Sequence, residues 1–120
     1  MGKARIADGL GAAAVTAAIG DFDASSRDTR ATAVRYLLQR LADDAPGNSV
    51  EVRVPPFGAV QCIEGPGHTR GTPPNVVEMD ARTWLELATG ALAWGEGLAS
   101  ARIHASGQRA DLTGHVPVSR

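Results

Sequence analysis

The clearest pattern of apolar and polar positions in the chain lies between Ser26 and Pro46. Apolar residues recur there at the spacing of one α-helical face, and charged residues occupy the opposite face. The apolar set is Val34, Leu37, Leu38, Leu41 and Ala45. The hydroxyl of Ser25 or Ser26 can cap the first turn. Because proline disfavours helical geometry at the residue before it, Pro46 ends the amphipathic helix that we predict here.

The period of the pattern then changes to that of β-strands. Residues 50–54 alternate valine with charged side chains, which predicts a strand with one buried and one solvated face. Residues 57–64 are apolar on both faces and predict an interior strand. The runs at 76–80 and 101–106 predict two further strands, the last with a polar outer face.

Helical signals occur in four other places. Residues 4–20 are rich in alanine, which has the highest helix propensity. Asp80 has the position of an N-cap before a helical face that ends at Gly90, and a short helical turn follows at 94–98. Residues 108–112 predict a terminal helix. Because strands and helices do not alternate regularly, the order of elements favours an α+β domain.

Composition narrows the class of function. The 120 residues are 43% hydrophobic and 21% charged, which is ordinary for one folded domain. A net charge of -1, with two Trp, one Tyr and two Phe, offers little attraction to phosphates and few rings for stacking, so we expect no nucleic-acid partner. The single cysteine, Cys62, suits a reducing compartment and predicts a cytoplasmic protein. Residues 9–20 are too short to span a bilayer, so no stable membrane insertion is expected.

The most unusual stretch is GPGHTRGTPPN at residues 65–75. It does not match a phosphate-binding loop, because no lysine follows its second glycine and Arg70 stands where a dinucleotide fingerprint needs its third glycine. His68 and Arg70 could still hold an anion, since a guanidinium group matches a carboxylate well. The favoured interpretation is a structural turn, or a lid over the mouth of a cavity.

Candidate catalytic and metal-binding groups are sparse. The three histidines, His68, His104 and His115, are far apart in sequence and lack the spacing of metal ligands. A nucleophile and base formed by Cys62 and His68 is disfavoured, because burial of a thiol in an apolar strand raises its pKa and leaves it inert. We therefore predict no metal, no cofactor and no enzymatic activity.

Two segments of the second half, NVVEMDARTWLELATGAL and GLASARIHASGQRADLTGHVPV, follow one another closely. They contain a strand that closes on Asp80, a helix that ends at Gly90, a second short helix and a strand that ends at Gly107. In these features the chain resembles the sterol carrier protein family, in particular its actinobacterial members, over roughly residues 30–118. The resemblance implies a small, mostly antiparallel sheet of about four to five strands, covered on one face by helices. It also implies a single sterol-carrier-like domain, to which we assign residues 26–120. The Ala-rich segment before it, residues 1–25, is predicted to be helical from its composition.

The resemblance further implies an apolar cavity between the two layers. Such a cavity binds without a catalytic group, because each methylene removed from water contributes about 0.8 kcal/mol. The implied function is a carrier of a lipid, a fatty acyl chain or a sterol-like molecule. Its expected lining is Val52, Val60, Val77, Met79, Trp84, Leu87, Trp94, Leu98 and Ile103. The alternative is an interaction domain of the same fold, with a filled core and a surface for a partner protein or for a homodimer.

Overall fold

The computed structural model describes residues 5–65 and 75–118. Within these residues the chain forms four helices and four strands. In chain order they are α1 (Asp8–Gly20), α2 (Arg27–Asp44), β1 (Val50–Val54), β2 (Gly58–Cys62), β3 (Val76–Glu78), α3 (Ala81–Thr89), α4 (Trp94–Ala99) and β4 (His104–Ser106). The α+β class is therefore as the sequence predicts.

Local capping groups set the ends of α2 and α3. The Ser26 hydroxyl accepts a hydrogen bond from the amide of Thr29 at 3.1 Å, which begins α2. The Asp80 carboxylate accepts one from the amide of Thr83 at 2.8 Å, which begins α3. α3 ends at Gly90, whose left-handed conformation at φ 93° suits a residue without a Cβ. The predicted starts of both helices and the predicted end of α3 are confirmed.

The sheet has the strand order β2-β1-β3-β4. β1 pairs antiparallel with β2 and parallel with β3, and β3 pairs antiparallel with β4. The sheet is thus mixed, with four strands in the described part of the chain. β2 lies at an edge, so the prediction of an interior strand at 57–64 was wrong. Ala59 on its outer face is exposed, and small apolar residues at an edge produce the same pattern as burial on both sides.

The last strand is shorter than predicted. β4 covers only His104–Ser106, whereas the sequence predicted a strand over 101–106. Ala101 and Arg102 instead complete the end of α4, because their amides donate to helix carbonyls at 3.1 and 3.0 Å. Ala101 adopts the left-handed conformation with φ 62°, which is the conformation that follows the end of many helices. The hydrogen bonds that end α4 therefore determine the conformation of residues 101 and 102, although the sequence alternates there as in a strand.

The predicted terminal helix at 108–112 is also absent from the structure. Residues 108 and 109 form a turn, and the chain then continues without helical structure. Ala110 and Leu112 are buried while Asp111 between them is exposed. This alternation has the period of an extended chain, so burial of these two residues determines the conformation.

One continuous cluster of buried side chains lies between the sheet and the helices. The register aligns Val52 with Val77 on the covered face and Arg53 with Glu78 on the opposite face. Both valines are fully buried, and Glu78 is exposed. The helices therefore cover one face of the sheet. Trp84 of α3 is fully buried in the cluster.

α1 packs against α2, and its residues Val15 and Ala18 belong to this core. A Cβ at Gly11 would collide with the ring of Tyr36, so the close approach of the two helices requires glycine there. The Tyr36 hydroxyl donates to the Asp8 carboxylate at 3.0 Å. After α1, Arg30 holds the turn by donating to the carbonyl of Phe22 at 2.6 Å. The division of the chain between residues 25 and 26 stays a prediction.

Candidate functional site

The structure places most of the predicted ligand-lining residues inside the packed core. Six of the nine, Val52, Val77, Met79, Trp84, Leu87 and Ile103, are no more than 3% exposed and belong to the same cluster. Val60 and Trp94 are partly buried against this cluster. Leu98 points away from the core and is 41% exposed. The six are thus brought together as packing partners, and their role as a ligand lining stays a prediction.

The predicted polar candidates do not converge on one site. His68 and Arg70 lie outside the described residues. Over residues 5–65 and 75–118, no three side chains of His, Cys, Asp or Glu come close enough to hold a metal ion. Cys62 is buried, and burial raises the pKa of its thiol to about 11. It remains a protonated core residue at neutral pH, as the sequence predicts.

A groove of about 500 Å³ lies where α2 meets the edge strand β2. It includes Val60, one of the residues predicted to contact a ligand. Its floor is mainly apolar, and its rim carries polar side chains from α2 and from the start of the chain. The lining residues are Arg5, Ile6, Thr32, Arg35, Leu38, Gln39, Phe57, Gly58, Ala59 and Val60.

The groove lies at the uncovered edge of the sheet. Gly58 faces α2, and a Cβ there would contact Leu38 at 3.5 Å and Arg35 at 3.6 Å, which are ordinary packing distances. Because β2 is at the edge, its side away from β1 pairs with no other strand of the described sheet. The groove opens at this edge beside Val60.

Arg35 fixes one side of the groove. Its Nε donates to the carbonyl oxygen of Phe57 at 2.7 Å, which holds the turn between β1 and β2 against the helix. The guanidinium of Arg27 lies 5.2 Å from the centre of the Phe57 ring. Arg35 itself is exposed, so its positive charge stands at the rim of an apolar groove.

Arg5 and Ile6, here named the strap, also line the groove. Gln39 of α2 accepts a hydrogen bond from the amide of Ile6 and donates one to its carbonyl, both at 2.9 Å. Arg5 makes two bonds to the carboxylate of Asp43, at 3.2 and 2.6 Å, and this guanidinium lowers the pKa of Asp43. Side-chain bonds therefore hold the strap on α2.

Sequence reasoning did not find the groove. Arg35, Gln39 and the strap meet only through tertiary contacts, over separations of up to 38 residues. One local signal was present: Gly58 within a strand commonly indicates a close approach or a site where side chains leave space.

Comparison with known protein families shows the family to which this chain belongs. The family of bacterial sterol carrier protein (SCP) orthologues matches residues 26–118. The chain belongs to this family. The family predicted from the resemblance is thus confirmed, while the narrower actinobacterial grouping stays a prediction. The strap and α1 precede the matched residues.

Two further comparisons were made. No curated protein sequence matches the chain. Among solved structures, one similar to this chain is Sterol Carrier Protein-2 from Aedes aegypti, determined by solution NMR in complex with the C16 fatty acid palmitate. The two are 14% identical with a TM-score of 0.46, and the match covers 79% of this chain and 99% of that one. Separately, no helix in the described part of the chain is both long and apolar enough to cross a membrane.

Proposed function

We propose that the protein is a non-catalytic carrier of an apolar molecule, such as a lipid or a fatty acyl chain, and that the groove between α2 and β2 holds it. The observation that carries the proposal is this groove of about 500 Å³, with its apolar floor, in a chain of the sterol carrier family. Small-molecule sites commonly have volumes of about 300–1,000 Å³. The volume therefore suits a single acyl chain or a compact apolar ligand.

The chemistry of the groove favours an amphipathic ligand. Burial of about six methylenes against Ile6, Ala59 and Val60 would contribute about 5 kcal/mol before the cost of association. The guanidinium of Arg35 at the rim would meet a carboxylate or phosphate head group through charge-assisted hydrogen bonds. Contact with the apolar floor would thus provide the binding free energy, and the charged rim would orient the head group of the ligand.

The test is saturable binding of a fluorescent fatty acid, 11-(dansylamino)undecanoic acid, by a matched pair of variants. Val60→Trp fills the groove with a residue that strands tolerate. Gln61→Trp adds the same ring on the opposite, exposed face of β2. We expect wild type and Gln61→Trp to bind one equivalent, and Val60→Trp to bind at least about tenfold more weakly, which is a loss of about 1.4 kcal/mol. No saturable binding by wild type, or equal binding by both variants, contradicts the proposal.

The alternative function is an interaction domain with a filled core. The observation that favours it is the burial of six predicted lining residues in one cluster. It predicts that the protein takes up no fatty acid and that its mass in sedimentation equilibrium rises with concentration, as for a homodimer. Ligand uptake by a protein of constant monomeric mass would exclude this alternative. Cytoplasmic location stays a prediction under both.

A further inference from the structure

We propose that the strap, Arg5 and Ile6, is a gate of the groove, which retains the ligand while docked on α2 and releases it on detaching. The inference rests on the proposed function and deepens it. Both strap residues line the groove, and the side chain of Ile6 packs against the edge of the core cluster. A ligand in the groove would therefore have the strap as one of its walls.

The strap is attached by contacts that can break without disturbing the fold. The Arg5 and Asp43 side chains are 67% and 39% exposed, and exposed ion pairs contribute little to stability. The second attachment is the pair of hydrogen bonds between Gln39 and the backbone of Ile6. Both sets of polar contacts use side chains of α2, and neither belongs to the hydrogen bonding of a helix or a strand. The third attachment is the packing of the partly buried Ile6 side chain against the core cluster.

The segment that follows the strap is held independently. Ala7 is extended, with φ -66° and ψ 145°, and α1 begins at the next residue. α1 is fixed by the close contact of Gly11 with Tyr36 and by the hydrogen bond from Tyr36 to Asp8. The strap can consequently detach by rotation near Ala7 while α1 stays on α2. Local opening of this kind is typical of segments with few buried contacts.

The strap lies outside the residues of the family match, which covers 26–118. A wall supplied by a separate, weakly attached segment controls how fast a ligand exchanges, because release then requires only local opening.

The experiment measures ligand release after the strap is loosened. Gln39→Ala removes both bonds to Ile6 and keeps a good helix former in α2. Asp43→Asn removes the charge that pairs with Arg5, near the C-terminal end of α2 where a negative charge is unfavourable to the helix. The matched control is Gln108→Ala, an exposed glutamine outside the groove. The full-length proteins are loaded with 11-(dansylamino)undecanoic acid, and release is followed by stopped flow during a chase with excess dodecanoic acid.

We expect Gln39→Ala to release the probe at least about tenfold faster than wild type, because it removes two hydrogen bonds. Asp43→Asn should accelerate release only about two- to fivefold, because its ion pair is exposed. The control should match wild type. Hydrogen exchange reports the gate directly: the amide of Ile6 should lose protection in Gln39→Ala while the amide of Gly11 keeps it. Bound probe with unchanged release in both strap variants overturns the gate alone. Absence of probe uptake by wild type overturns the proposed function, and the gate with it.

Discussion

Helix α2 has one closed side and one open side. On the side toward α3, the side chain of Trp84 is fully buried. Its indole N–H donates a hydrogen bond to the backbone carbonyl of Val34 in α2 at 3.2 Å. Toward β2, the same helix faces Gly58 and Val60, and a groove of about 500 Å³ remains. An indole fills the first junction, whereas the second lies at the edge of the described sheet, where no further strand covers the space beside Val60.

Under the proposed function, this contrast places stability and ligand binding on different sides of one helix. Side chains in a close-packed junction cannot change volume without strain or a cavity, so the side toward α3 fixes the position of α2. The side toward β2 retains space that a ligand can occupy at no cost in core packing. The same type of substitution made at different positions, Trp→Ala or Gly→Ala, distinguishes the two sides.

The largest effect is expected from Trp84→Ala at the closed side. Removal of a fully buried indole leaves a cavity and should lower the free energy of unfolding by about 3–5 kcal/mol, measured by urea denaturation. Trp94→Ala is the control, since Trp94 is only partly buried and should cost less than half as much. Trp84→Phe gives a measurable, smaller loss if Trp84→Ala does not fold. Equal losses at Trp84 and Trp94 would contradict the assignment of the closed side.

The second largest effect is expected at Cys62, the buried last residue of β2. Cys62 is fully buried, and its raised pKa of about 11 keeps the thiol protonated at pH 8. Reaction with a soluble aromatic disulfide should be at least about 100-fold slower in the folded protein than in urea, because only the thiolate reacts. Stability should also fall as pH rises above 9 toward 11, since the unfolded thiol ionises first and the folded one retains its proton. Equal labelling rates in the folded and unfolded protein would contradict the burial of Cys62.

The third prediction concerns two glycines of α1. In a helix, Gly→Ala normally stabilises by up to about 1 kcal/mol. Gly9→Ala should follow this rule, because no atom lies within 4 Å of the position of its Cβ. Gly11→Ala should instead destabilise by about 1–3 kcal/mol, because the new Cβ collides with the Tyr36 ring. Thermal unfolding measures both, and stabilisation by Gly11→Ala would show that α1 does not pack closely on α2.

Features set by local chemistry could be predicted from the sequence. The caps at Ser26 and Asp80 and the end at Gly90 each depend on residues within one helical turn, and all three are found. The edge position of β2 could not be predicted, because the pairing of strands is decided by contacts far apart in sequence. The groove depends on that edge position and on the bond from Gln39 to Ile6, 33 residues away. The open side of α2 therefore had no signature beyond Gly58.

The smallest effect, and the most direct test of the open side, is expected at Gly58. The new Cβ of Gly58→Ala would lie 3.5 Å from Leu38 and 3.6 Å from Arg35, which it can contact without displacing either. Glycine within a strand costs conformational entropy on folding, so the substitution should stabilise the protein by about 0.5–1 kcal/mol. The same change at Gly11 is expected to have the opposite sign, so the two variants together compare open and closed contacts of one helix. If Gly58→Ala destabilised the protein, Leu38 and Arg35 would lie closer to β2 than in this structure, and the contact at Gly58 would be as close as that at Gly11.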